Sequence, residues 1–301
     1  MAGQIAIDIG GTKIAAARGV DGAIHERRQI ATPREHVEAT LVPAIAGMIG
    51  DWLPDAAVER ASLRLGVATT GFAQGGRITA INPATLPFPN RFDLGGMLRE
   101  RVGLPAVIVN DALAAAWGEF CAGAGRGASG FTFLTISTGI GGGSVIGGRL
   151  HAGVTGFAGH VGHMVVDQAG PPCGCGRRGC VEAIASGTAL ASRASAALGE
   201  TIDAAELFRR ASAGEPTCRA IVAEAAAAVA TLCLNLKTAL DIERIAIGGS
   251  VGLNPAFIPA LRAEIDAAPA AFRVEVTPAS LGGDAGLIGA AALALSDEEG
   301  V

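Results

Sequence analysis

Three times in this chain a short apolar run ends in glycines. Residues 5–9 stop at Gly10-Gly11, residues 131–136 lead through Ser137-Thr138-Gly139 into Gly141 and Gly142, and residues 244–247 stop at Gly248-Gly249. A glycine pair lets the backbone reverse within two or three residues and approach a ligand closely, because no Cβ stands in the way. In the first two cases a new strand-like run follows at once, from Lys13 and from residue 141, so each reads as strand–turn–strand, one in each half of the chain. Strands are also expected at 63–68, 106–109 and 272–276. Helices are expected at 36–50, 91–101 and 112–122, through much of 187–240, and from about Asp284. Strands alternating with helices imply α/β layers. Asp21-Gly22 is a two-residue hairpin signal, and residues 71–90, rich in Gly, Pro and Asn, read as a surface excursion. A length of 301 residues is long for one core. The restart of the pattern puts the boundary near 112: a small N-terminal lobe, 1–112, completed by a C-terminal helix, 285–301, and a large lobe, 113–284.

Composition narrows the partners. The net charge of −5 comes with no basic stripe, which argues against a nucleic-acid partner. Half the residues are hydrophobic and 17 % are charged, so a membrane span has to be considered. The longest low-polarity run, 225–236, includes Asn235 and stops at Lys237; it is too short to span and reads as a buried helix. No basic segment followed by an apolar stretch opens the sequence, so no signal peptide is expected. Of six cysteines, Cys121, Cys218 and Cys233 sit among apolar helical residues and read as small core residues. The other three, Cys173, Cys175 and Cys180, fall within eight residues and point to metal in a reducing, cytoplasmic setting rather than to a disulfide framework.

In "DIGGTK", residues 8–13, the turn's N–H groups can cradle an anion, Thr12 adds a hydroxyl and Asp8 is placed to hold a hydrated metal ion. An ordinary hairpin turn is the other reading. The segment is not a P-loop, since no Gly-Lys-Ser/Thr opens a helix here. "STGIGGG", residues 137–143, repeats the device, and two such turns suggest a nucleoside triphosphate held between two lobes. "IGGS", residues 247–250, could let an adenine ring lie flat on the backbone. In "VNDALAAAWGEF", Asp111 lies where a strand meets a helix N-terminus. A carboxylate there can take a proton from an alcohol attacking phosphorus, or it can cap the helix; both readings stand.

Taken in order, "DIGGTK", "VNDA", "STGIGGG", "CGCGRRGCVEAIASG" and "IGGSVGL" resemble the bacterial sugar kinases of the ROK group over essentially the whole chain. The resemblance implies an α/β, two-lobed actin/hexokinase/Hsp70-like (ribonuclease H-like) sugar kinase fold. It implies Asp111 as general base, with Gly71, Asn82, Asn110, Asp111, His160, His163 and Glu182 around the sugar. It also implies ATP and Mg2+ held by Asp8, Gly10, Gly11, Thr12, Lys13, Thr138, Gly139, Gly141, Gly142, Gly248 and Gly249, and a homodimer. Beginning at the first catalytic strand, the chain is expected to lack the helix-turn-helix of the group's repressor branch. Asn, Asp, Glu and His together supply donors and acceptors for several ring hydroxyls.

His163, Cys173, Cys175 and Cys180 follow H-x9-C-x-C-x4-C. Three thiolates and an imidazole suit tetrahedral zinc, and four protein ligands make such a site structural. His160 stands where the group's common pattern, Gly-Glu-x-Gly-His, has its Glu. In this respect "GHVGH" looks like the branch that phosphorylates N-acetylmannosamine in sialic acid breakdown. A glucokinase or N-acetylglucosamine kinase in which His160 has drifted is the alternative; a sugar sensor without catalysis is disfavoured by Asp111.

Overall fold

The computed structural model describes residues 4–19, 24–56, 62–80 and 86–296; the Asp21-Gly22 signal and Asn82 lie outside them. The chain forms two compact units, one of 1–122, 149–158 and 283–301, the other of 123–148 and 159–282.

In the first unit β1 (Gln4–Ile9), β2 (Lys13–Arg18), β3 (Glu26–Ala31), β4 (Arg64–Thr69) and β7 (Ala106–Asn110) make one sheet in the order β3-β2-β1-β4-β7. β1 is antiparallel to β2 and parallel to β4, which is parallel to β7. Successive side chains of a strand face opposite ways. Ile5, Ile7 and Ile9 share a core with Leu41 and Ile45 of α1 (Val37–Ile49) and with Leu94 and Leu98 of α2 (Leu94–Val102). The other face takes α3 (Asp111–Ala122) and the last helix, Ala285–Leu295. That last helix is made mostly of small residues and lies almost backbone to backbone with its neighbours. A Cβ on Gly289 would stand 1.7 Å from the Ala114 carbonyl oxygen, and one on Gly118 would stand 2.3 Å from that of Ala285. This contact keeps α3 in the first unit, so the unit runs to residue 122 and not to the expected 112.

The segment 71–90 differs from the surface excursion expected of it. It contains the hairpin β5 (Phe72–Gln74) and β6 (Arg77–Thr79). Ile78 exchanges backbone hydrogen bonds with Phe92, and Ile78, Leu86 and Phe88 are buried in the core. Glycine and proline make the stretch look like loop; long-range pairing gives it structure.

In the second unit β8 (Gly130–Ile136) pairs antiparallel with β9 (Ile140–Ile146) and parallel with β11 (Arg244–Gly248), which is parallel to β12 (Glu275–Pro278). A hairpin followed by two parallel neighbours is the pattern of β2-β1-β4-β7 repeated. The strand expected from 272 starts three residues later. Pro269 opens a single turn instead, closed by Phe272 N–H on the Pro269 carbonyl at 2.9 Å. Between the strands come the short β10 (Arg149–Leu150), of the first unit, and then α4 (Val181–Ala185), α5 (Gly187–Leu198), α6 (Ala204–Ser212), α7 (Pro216–Leu240) and α8 (Phe257–Ala267); Ala285–Leu295 is α9. α7 has 25 residues and is, by length and composition, long and apolar enough to cross a membrane, unlike the run expected from sequence. Asn235 and Lys237 do not end it. They sit on a helix whose opposite face carries Ile221, Ala225, Val229, Leu232 and Leu236 into the core of this unit. Cys218 and Cys233 are buried as expected; Cys121, in the last turn of α3, is exposed instead.

Candidate functional site

In the first unit the parallel strands end level with one another: Ile9 pairs with Thr69 and Thr69 with Asn110. The carboxyl edge of such strands is where α/β folds place ligands. From this edge leave the Gly10 turn, Gly71, and Asn110-Asp111. The turn is fixed by Gly10 N–H on the Lys13 carbonyl at 3.0 Å and by Thr32, whose hydroxyl donates to the Gly10 carbonyl at 2.7 Å and whose N–H donates to the Thr12 carbonyl at 3.1 Å. Thr12 and Lys13 are exposed beside it.

Asn110 is buried and is the helix cap. Its Oδ1 accepts from the N–H groups of Ala112 (3.0 Å) and Leu113 (3.2 Å), and its Nδ2 donates to the Gly71 carbonyl at 3.1 Å. The capping role left open for Asp111 therefore belongs to its neighbour. Asp111 is exposed at the first position of α3, with Oδ1 accepting the Ala112 N–H at 2.8 Å. Gly71 has φ +100°. Asp8 is half-buried. Burial, and then the charge of Asp111, push it up to about 6, against the opposing pull of Lys13 and Arg27.

In the second unit the loop after β8 is braced by residues just beyond Cys180. The Ser137 carbonyl accepts the Gly187 N–H at 2.7 Å, and the Thr138 carbonyl accepts the Thr188 hydroxyl at 2.9 Å. Glu182 Oε2 accepts the Ile140 N–H at 2.9 Å. Thr138 and Gly139 lie in the turn, whereas Gly141 and Gly142 are residues of β9, paired with Thr135 and Leu134. Gly248 and Gly249 sit at the end of β11. A Cβ on Gly248 would stand 2.8 Å from the Phe133 ring, and Gly249, at φ +84°, would bring one to 2.3 Å from the Ile136 carbonyl. Packing against β8 thus demands both glycines, whatever lies on their other side.

The donor atoms of His163, Cys173, Cys175 and Cys180 all lie within 4.8 Å of one another. Cys173 Sγ is 3.7 Å from His163 Nδ1, and Cys175 Sγ is 3.6 Å from Cys180 Sγ. A tetrahedron with metal–sulfur bonds of about 2.3 Å has edges of about 3.8 Å, so these separations fit a zinc-sized ion. The backbone is shaped for it: Cys173 N–H donates to the Arg177 carbonyl at 2.8 Å, and Gly176 N–H returns to the Cys173 carbonyl at 3.0 Å. Burial pushes the Cys180 thiol up to about 12, while the backbone N–H of Arg177 draws Cys175 down to about 6. A cation would hold all three as thiolates. With Nδ1 turned to the sulfurs, the other ring nitrogen of His163 is left for a second partner. His160 lies one turn earlier, its carbonyl accepting the His163 N–H at 3.1 Å.

The profile of the ROK family matches residues 4–297. The N-acetylmannosamine kinase of Vibrio cholerae serotype O1 is 45 % identical over 287 residues, covering 95 % of this chain and 97 % of that protein. Among solved structures, the ROK hexokinase from Thermus thermophilus superposes with a TM-score of 0.82 at 35 % identity, over 97 % of both chains. A ROK family glucokinase from Streptomyces griseus, solved in complex with glucose and AMPPNP, gives 0.76 at 31 %, over 97 % of this chain and 99 % of that one. The fold is the actin/hexokinase-like sugar kinase fold.

Asp8 carries a testable consequence. Its folded value, about 6, lies above its ordinary value of 3.8, so the folded protein favours the protonated acid. Ionisation costs folding free energy fully above pH 6 and not at all below pH 4. Without added magnesium, Asp8→Asn should therefore raise stability at pH 7.5, by at most about 3 kcal/mol at about 1.4 kcal/mol per pKa unit. It should change little near pH 4. Paired thermal melts at the two pH values check this; an equal effect at both would contradict it.

Proposed function

The chain belongs to the ROK family, and we propose that its reaction is transfer of the γ-phosphoryl group of ATP to the 6-hydroxyl of N-acetylmannosamine, a step of sialic acid catabolism. The observation that carries the substrate is the full-length likeness to an N-acetylmannosamine kinase. The pairing of His160 with His163, where a Glu-x-Gly-His pattern is common in the group, supports it. In the first unit Asp111 takes the proton of the sugar hydroxyl, and Asn110 sets both the helix that carries Asp111 and the carbonyl of Gly71. Asn82 is assigned to the sugar by resemblance alone. The turn of Gly10, Gly11, Thr12 and Lys13 receives phosphate oxygens.

The carboxylate of Asp8 is a hard oxygen donor that suits Mg2+. When bound, Mg2+ neutralises charge on the phosphates. In the second unit Thr138 and Gly139, with Gly141 and Gly142 behind them, form the second phosphate loop, and Gly248 and Gly249 form the floor for adenosine. His160, His163 and Glu182 face the sugar. Structural zinc on His163, Cys173, Cys175 and Cys180 would hold the segment bearing His163 and Glu182 at a fixed spacing. A homodimer and a cytoplasmic setting rest on resemblance to the group.

Asp111→Asn keeps the shape but cannot take the proton. It should lower kcat by about 100- to 10,000-fold while sugar binding survives; near-normal turnover would refute the base. Elemental analysis should find about one zinc per chain. Cys175→Ser should lose the metal and lower the melting temperature. Active wild-type protein free of zinc would contradict the assignment.

His160→Glu tests the substrate. The acetamido group of N-acetylmannosamine is axial at C2, and a carboxylate beside it would be left partly unpaired, which is costly when desolvated. On a panel of N-acetylmannosamine, N-acetylglucosamine and glucose, the substitution should shift relative kcat/KM away from N-acetylmannosamine by about 10- to 200-fold. An unchanged ranking would remove His160 as the selector, and a wild type that prefers glucose would overturn the substrate.

A further inference from the structure

We infer that Glu182 is a positioning residue that couples the sugar site to the second phosphate loop through the backbone of Gly139 and Ile140. This rests on the proposal that Glu182 meets the sugar and that the loop of Thr138 and Gly139 meets phosphate.

The geometry lies within the second unit. Glu182 opens α4, directly after Cys180, and Val181 N–H on the Met164 carbonyl at 3.0 Å holds this start beside the segment of His163. From there the carboxylate reaches back 42 residues in sequence to accept the Ile140 N–H. That N–H belongs to the first residue of β9, where the turn ends. Among the described residues only Oε2 of this carboxylate has a hydrogen-bond partner, which leaves Oε1 for a ligand. One carboxylate can then accept from the loop backbone on one oxygen and from a sugar hydroxyl on the other. If it is drawn toward a bound sugar, it pulls on the N–H that closes the turn. The reverse holds too, because coupling between two binding events is reciprocal.

Gly139 shows how closely the two parts are fitted. A Cβ there would stand 2.8 Å from Glu182 Oε2 and 3.6 Å from its carboxyl carbon, with nothing else within 4 Å. Gly139 is not among the glycines of positive φ, so alanine would suit its backbone. The only conflict is with the end of a flexible side chain, which can move. Gly139→Ala therefore displaces the Glu182 carboxylate and leaves the fold intact. A substitution in a phosphate loop is thus expected to weaken sugar binding when no nucleotide is present, which a loop serving nucleotide alone would not do.

The test is calorimetric titration of N-acetylmannosamine into wild type and Gly139→Ala without nucleotide. Titration of AMPPNP with Mg2+, with and without saturating sugar, completes it. Gly139→Ala should bind the sugar about tenfold more weakly, as for loss of one hydrogen bond to a charged group, without a change in thermal unfolding. Wild type should gain AMPPNP affinity when sugar is bound, and that gain should shrink in Gly139→Ala. Glu182→Gln, whose amide oxygen can still accept the Ile140 N–H, should keep wild-type AMPPNP affinity in the absence of sugar, while Glu182→Ala should lose several-fold. Unchanged sugar affinity in Gly139→Ala overturns the inference, as does equal AMPPNP affinity in the Gln and Ala variants. Failure of the proposed substrate shows separately, as a wild type that prefers glucose; the same comparison made with glucose then decides the coupling.

Discussion

The parallel pairing of β1, β4 and β7 is the constraint on which the first unit depends. Because Ile9, Thr69 and Asn110 are in register, three segments of different chemistry leave the sheet at one level: a glycine turn, Gly71, and an Asn-Asp pair. A slip of one residue would send Asp8 to the opposite face of β1, among the isoleucines. The register is held by helices on both faces. On the Asp8 face it is held by the near-contact of α9 with β4, where a Cβ on Gly66 would stand 1.9 Å from the Ala290 carbonyl. With the edge so fixed, Asn110 caps α3 and grips Gly71, and Asp111 follows at the first position of α3, its Oδ1 accepting the Ala112 N–H.

The second unit reuses the hairpin and its parallel neighbours for another purpose. There the loop after β8 is buttressed by residues 182–188, which are themselves anchored to the cysteine segment. A zinc ion bound there would thereby influence catalysis without taking part in it. It would fix where α4 begins, α4 fixes Glu182, and Glu182 fixes the end of the loop. This explains why a structural ion would be placed in an enzyme whose core is already well packed, with α7 buried along one side.

Much of this was legible in the sequence because its signals are local. Alternation and paired glycines gave β1, β8 and β11 nearly to the residue and the starts of β2 and β9, and ligand spacing picked out four residues whose donor atoms the fold brings together. What could not be read depends on distant partners. The hairpin of β5 and β6 is held by Ile78 pairing with Phe92, across a stretch that looks like loop. α3 belongs to the first unit because Gly289, more than 160 residues later in the chain, lets α9 pack against Ala114 and Gly118. The division of labour between Asn110 and Asp111 needed the side-chain bonds, since either residue can cap a helix. The link from Glu182 to Ile140 has no sequence signal at all, because a glutamate two residues after a cysteine does not announce a partner 42 positions earlier.

The glycines of the motifs show how far a motif can be trusted. Gly249 has a backbone conformation and a carbonyl neighbour that forbid a side chain, and Gly142 would set a Cβ 2.5 Å from the Phe133 carbonyl. Both would be required if the protein bound nothing. Gly139 differs, because its backbone and all its neighbours but one would accept alanine, and that one is a movable carboxylate. Where folding leaves the choice of residue open, a glycine points to what the adjacent group must be free to do. By that criterion Gly139 says more about function than the glycine pairs that first drew attention to the chain.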